Sequence, residues 1–208
     1  MLSNYEREVA ITIVEALVEY GMNDHLAQYG AHSTNHWFAE NELYEEGFCV
    51  SGGASKLCIM HEDLDNWVIK VSYNVHVKHD HATMEYEVYC AAEEAGFAEY
   101  FPETVYLGTF GGCAYYAQAM AECCEEEITS EWYSALTTRY EDRGDEYDSD
   151  CIWSEVDDLD DWERALLLFG NESLCSFLSE HRVGDLHEGN FGYIGGRLVI
   201  VDFSGWHC

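Results

Sequence analysis

VGDLHEGNFGYIGGRLVIVDFSGWHC, residues 183–208, is the stretch whose reading decides the fold. A polar loop, DLHEGN, leads into two short apolar runs on either side of Gly195-Gly196, and Asp202 follows Leu198-Val199-Ile200-Val201 directly. Paired glycines between apolar runs predict a hairpin, since tight hairpin turns need positive φ at their centre. An apolar run of this kind reads as a buried strand, and a carboxylate at its end is costly unless a partner or a cation offsets the charge. Asp185 and Asn190 taken singly are ordinary turn formers, which hydrogen-bond to nearby backbone. The loop and the strand ending in Asp202-Phe203, taken together, point to a site.

Upstream, the elements fall into an order. Residues 5–20 carry Val9, Ile13, Ala16, Leu17 and Tyr20 at helical spacing, with Gly21 as a stop, and a second helix is expected from a cap near Ser33 through Trp37 and Leu43 to Gly47. GFCV, KLCIM and WVIKVSY then read as three strands, joined by the turn SGGAS and the link HEDLDN. HATMEYEVYCAAEEAG is a helix closed by Gly96, and TVYLGTF and CAYYAQAM form a hairpin about Gly111-Gly112. The single proline, Pro102, stands where a strand entry tolerates it. Residues 122–161 turn strongly acidic and are expected to be a lobe boundary or an insertion, while 160–181 restore helical periodicity as one long helix.

Composition excludes whole classes of function. With 48% hydrophobic residues among 208, the chain can bury a true core, and no apolar run approaches a membrane span. The 41 acidic residues against 9 basic ones give a net charge of −32, which repels nucleic-acid phosphates and anionic membranes. Nine cysteines without a CxxC pair fit thiols in a reducing compartment, so the cytoplasm is expected. His76, His79 and His81 read as exposed histidines at a strand-to-helix turn rather than as a metal cluster.

GDLHEGN with VDFSG downstream, a lone lysine in WVIKV and the order of the elements resemble the protein-kinase-like superfamily, in its small bacterial and aminoglycoside-phosphotransferase-like branch. The resemblance spans roughly residues 47–205. It implies an α+β, bilobal fold with a β-rich N-terminal lobe (47–121) and a reduced, mostly helical C-terminal lobe (122–208), preceded by a helical extension (1–46). It implies ATP and Mg²⁺ as cofactors. Asp185 becomes the catalytic base, and Asn190 and Asp202 the metal ligands. Lys70 is assigned to the α and β phosphates, with Glu85 as its ion-pair partner and Glu87 as the fallback, and Gly52 and Gly53 form the turn covering the phosphates. These residues are expected to converge on one cleft.

The sequence also departs from that pattern. Val183 stands where the family carries a histidine that braces the loop, His187 replaces the lysine of protein kinases, and SGGAS lacks the full GxGxxG. Ser204 takes the third place of the metal motif, and the sequence stops six residues after Asp202, so a lobe truncated after that motif and slow or absent turnover are expected. Two functions follow: a kinase-like ATP- and magnesium-binding protein, a phosphotransferase toward a small or unknown acceptor, or a pseudokinase or acidic, DNA-mimic-like inhibitor that presents residues 122–161 to a basic protein partner.

Overall fold

Strands form where apolar residues alternate between glycine turns. In the computed structural model, which describes residues 1–30, 33–52, 55–73, 80–143 and 148–204, the alternating runs give β1 (Phe48–Gly52), β2 (Lys56–His61), β3 (Trp67–Ser72), β4 (Thr104–Phe110) and β5 (Cys113–Ala119). They build one antiparallel sheet in the order β1-β2-β3-β5-β4. Successive side chains point to opposite faces, so the sheet has two chemically different sides. One carries Leu57, Ile59, Trp67, Ile69, Val71, Tyr115 and Ala117, all in the main hydrophobic core. The registers Lys56↔Ser72, Cys58↔Lys70 and Lys70↔Tyr116 put these residues on the other.

Helices cover both sides. The apolar side receives α1 (Asn4–Glu19), α2 (Met22–Tyr29) and α3 (Thr34–Glu40), through Ala10, Ile13, Leu17, Met22, Leu26 and Phe38. Ser3 and Glu6 start α1 as a reciprocal capping box. The helix expected over 33–47 stops at Glu40, and Glu42 and Gly47, both at positive φ, turn the chain into β1. The polar side is covered by α4 (His81–Ala95), which is capped by Asp80 and tied to β3 where Ala82 N donates to Ser72 Oγ at 2.9 Å. Gly96, at φ 80°, ends α4.

Contacts divide the chain into two units, Met1–Met120 and Ala121–Cys208. The helices of residues 1–46 share the core of the first unit and are not an appendage to it. In the second unit, which begins where the acidic stretch begins, that stretch is largely helical. It forms β6 (Glu122–Cys123), α5 (Glu125–Arg143) and α6 (Ser149–Asp158), with Ile128, Trp132, Leu136, Ile152 and Val156 buried and the acidic side chains largely on the outside. The long helix expected over 160–181 is two helices, α7 (Asp161–Phe169) and α8 (Glu172–Glu180). Gly170 at φ 60° ends the first, and Asn171 caps the second by accepting from Ser173 N and Leu174 N. The terminal hairpin is β7 (Phe191–Ile194) and β8 (Arg197–Ile200), turning on Gly195 and Gly196 at φ 58° and 78°. The molecule is thus α+β, with a five-stranded antiparallel sheet and, among the described residues, eight α-helices. No helix among the described residues is long and apolar enough to cross a membrane.

Candidate functional site

Lys70 lies at the centre of the polar side of the first sheet, flanked by Cys58 on β2 and Tyr116 on β5. It does not face solvent: it is 5% exposed, and its Nζ donates to Glu85 Oε2 of α4 at 2.8 Å. Glu85, 1% exposed, uses its other oxygen as well, since Lys56 Nζ lies 3.0 Å from Oε1. Glu87, two residues along α4, is exposed. Three ionised groups therefore meet in a buried layer between sheet and helix, where charges persist only when paired and hydrogen-bonded. Thr83 and Tyr116 hydroxyls, 2.7 Å apart, fasten α4 to β5 beside them.

Gly52 ends β1, and a methyl group on it would clash with the Tyr73 hydroxyl. Glycine is required here by the close approach of that phenol, whose pKa burial pushes up to about 12. Gly53, His76 and His79 lie outside the described residues. His81 is the first residue of α4, and no group of three or more His, Cys, Asp or Glu among the described residues could hold a metal ion.

In the second unit the backbone of the loop at 183–190 is held by hydrogen bonds from three directions. Val183 is fully buried and its N–H donates to Leu178 O. Asp161, in the first turn of α7, accepts from Asp185 N through Oδ2 at 2.9 Å and from Leu186 N through Oδ1 at 2.8 Å. Arg164, one turn further along α7, donates from Nη1 to Leu186 O at 3.3 Å. Asp185 is exposed and sits at φ 59°, a left-handed conformation that Asp tolerates better than most residues. Its carbonyl accepts from His187 N and from Asn190 Nδ2, the latter at 2.6 Å.

Asn190 is 9% exposed, and its carbonyl accepts from Val201 N at 2.9 Å, so Asp185, Asn190 and Asp202 gather at one end of the β7–β8 hairpin. Asp202 departs from the sequence reading: β8 stops at Ile200, and Asp202 lies two residues beyond it, half-buried rather than fully enclosed. Ser204 Oγ is 3.4 Å from Asp202 Oδ1. Because Asn190 spends its amide N–H on Asp185, its Oδ1 is the end left to act as an acceptor. One amide oxygen and one carboxylate suit Mg²⁺, which takes few protein ligands and completes its shell with phosphates and water.

Lys56, Asp161 and Arg164 were not singled out in the sequence. Lys56 was within reach, because two of the chain's three lysines stand at the same parity of paired strands. Asp161 carried no local signal: it is one acid in an acidic run, and its partners are 24 and 25 residues away. Beside the loop, Glu125, Glu126 and Thr129 of α5, Trp153 of α6 and Glu188 line an open groove of about 400 Å³.

No family model matches the chain, and no curated protein matches it. Among the solved structures that match is the aminoglycoside phosphotransferase from Alicyclobacillus acidocaldarius subsp. acidocaldarius, at 14% identity and a TM-score of 0.33, over 75% of this chain and 61% of that one. The chain thus spans less than two thirds of that structure's length, and a likeness at this level assigns no family.

Proposed function

We propose that this chain is a kinase-like protein that binds ATP with Mg²⁺. The observation that carries the reading is the buried Lys70–Glu85 pair, which orients a lysine from a central strand by a carboxylate on the covering helix. Lys70 holds the α and β phosphates together with Gly52 and Gly53, while Asn190 and Asp202 hold the metal. Magnesium, when bound, supplies positive charge against phosphates that the net charge of −32 would otherwise repel. Asp185, exposed on its braced loop, takes the proton of an acceptor hydroxyl as that oxygen bonds to the γ-phosphorus and ADP leaves. The acceptor is a small molecule, and turnover is slow.

The test separates binding from turnover. Titrating Mg-ATP into the chain should give saturable binding and raise its unfolding temperature. Lys70→Met and Asp202→Ala should each lose both effects. Asp185→Ala should bind nearly as well as the parent yet lose ATP turnover by about 100-fold or more. A parent that binds no ATP with magnesium or manganese would end this reading.

The groove of Glu125, Glu126 and Glu188 beside Trp153 favours a second reading, a catalytically inactive scaffold that binds a basic protein partner. That version is supported by Mg-ATP binding without turnover, or by salt-sensitive binding of a basic protein that Glu125→Gln with Glu126→Gln weakens.

A further inference from the structure

Asp185 holds its side chain in the open from a left-handed backbone, at φ 59°, and such a conformation persists in a non-glycine residue only when its surroundings impose it. Val183, two residues earlier, is buried and apolar, so its side chain gives the loop no hydrogen bond. The constraint comes from α7. Asp185 N and Leu186 N donate to the two oxygens of Asp161, at 2.9 and 2.8 Å, so one carboxylate grips two successive N–H groups. A Cβ at Gly184 would stand 3.2 Å from Asp161 Oδ2, and the bare glycine leaves that oxygen its approach. Three residues along the same helix face, Arg164 Nη1 donates to Leu186 O at 3.3 Å. The helix does not itself use the Asp161 carboxylate, because its reciprocal capping box is made by Asp160 and Glu163. Both oxygens of Asp161 are spent on the peptide groups that fix Asp185.

We infer that Asp161 is a positioning residue for Asp185, setting through the backbone where the catalytic carboxylate stands. The inference rests on the kinase-like reading for the reaction, and on the Asp161–loop geometry for the positioning. Asp161 takes no proton in the transfer; it acts through Asp185. Asn190 is held independently, since its N–H donates to His187 O and its carbonyl accepts from Val201 N, both at 2.9 Å. Loss of the Asp161 brace therefore falls on turnover more than on metal and nucleotide binding. The Asn190 side-chain amide, which donates to Asp185 O at 2.6 Å, reports any displacement of Asp185.

The experiment compares Asp161→Asn with Glu163→Ala in the full chain. The first keeps the shape of the side chain but turns one of its two acceptors into a donor, whereas the second weakens the cap of α7 without touching the loop. Asp161→Asn should lower the kcat of ATP turnover by about 10- to 100-fold, the scale of loss that a misplacement of about 1 Å brings, with a much smaller change in the Kd of Mg-ATP. In ¹⁵N spectra it should also move the Asp185 and Leu186 amide signals and the Asn190 side-chain signal. Glu163→Ala should do none of this. A further measurement needs no variant: in the parent, the Asp185 and Leu186 amide protons should exchange slowly with solvent, although Asp185 is exposed, and rapid exchange of both would overturn the inference. If Asp161→Asn and Glu163→Ala lower turnover equally, the carboxylate merely steadies α7, and the inference falls while the kinase-like reading stands. If the parent binds Mg-ATP without turnover, or does not bind it, Asp185 is no base in this chain, and the spectra decide the positioning by themselves. It stands if the three signals move in Asp161→Asn alone, and it falls if they stay in place.

Discussion

A carboxylate shared by two buried ammoniums makes the three residues unequal. Removing Lys56 leaves the Lys70–Glu85 pair in place, whereas removing Glu85 takes the shared carboxylate from two buried ammoniums at once. Glu85→Ala should therefore lower unfolding stability by about 3–5 kcal/mol, the usual range when a buried ion pair is broken from one side. Lys56→Met should lower it by clearly less, and equal losses in urea titrations would show that the carboxylate is not shared. His25 offers a pH-dependent counterpart. It is buried between the rings of Tyr29 and Trp37, at 5.2 and 5.3 Å, and its Nε2 has no hydrogen-bond partner among the described residues. Burial pulls its pKa below the ordinary 6.5, and the charge of Glu40 opposes this more weakly. With the folded value depressed, the unfolded chain takes up the proton first. Stability due to neutral His25 is therefore fully present above about pH 6.5 and is lost as the pH falls through the folded value. The urea midpoint of the parent should fall more steeply than that of His25→Phe as the pH is lowered below neutrality. Parallel curves would show that His25 contributes nothing to the pH dependence.

At the scale of elements, legibility followed the range of the interactions. The five strands of the first sheet, α4 and the terminal hairpin could be read because alternation, glycine turns and caps are local signals. Glu85 could be preferred to Glu87 as partner of Lys70, since helical phase decides which carboxylate faces the sheet. Helix α2 escaped because it is only 8 residues long and starts at Gly21 without a side-chain cap. The break between α7 and α8 escaped because apolar spacing continues across Gly170-Asn171, so the cap was hidden by the period it interrupts. The charge of α5 masked Ile128, Trp132 and Leu136, which recur every four residues along its buried side. Asp161 depends on tertiary neighbours 24 and 25 residues away, which no local pattern encodes. Gly52 shows how one residue can be read two ways at this scale. In the sequence it belongs to a turn near phosphates; in the fold its missing side chain is the space that the Tyr73 hydroxyl fills. Gly52→Ala should then destabilise the β1–β2 hairpin, and Tyr73→Phe should recover part of that loss in the double variant. Strictly additive losses in a double-mutant cycle would show that the two residues do not compete for space.

Across the whole molecule, charge is the property that departs furthest from balance. A net −32 on 23.8 kDa disfavours the compact state through self-repulsion, and the repulsion weakens as ions screen it. The screening length shrinks from about 10 Å at about 0.1 M salt to about 3 Å at about 1 M. Neighbouring surface carboxylates should therefore cease to repel one another over that range, and thermal stability should rise with sodium chloride. The two units should not respond equally. Residues 121–208 hold 22 acidic against 5 basic residues, and residues 1–120 hold 19 against 4, so the excess is packed into a shorter length in the second unit. Its basic residues are also partly committed, since Arg164 lies over the Trp132 ring at 5.4 Å and donates to Leu186 O. Salt should then raise the unfolding temperature of the second unit more than that of the first, by several degrees if about 1–2 kcal/mol of repulsion is removed. The two transitions can be followed through Trp132 and Trp67, with the other tryptophans replaced by Phe, as each lies buried in its own unit. A larger rise for the second unit than for the first would show that charge repulsion limits its stability. A constant gap, or a fall in stability with salt, would mean that packing rather than repulsion limits it.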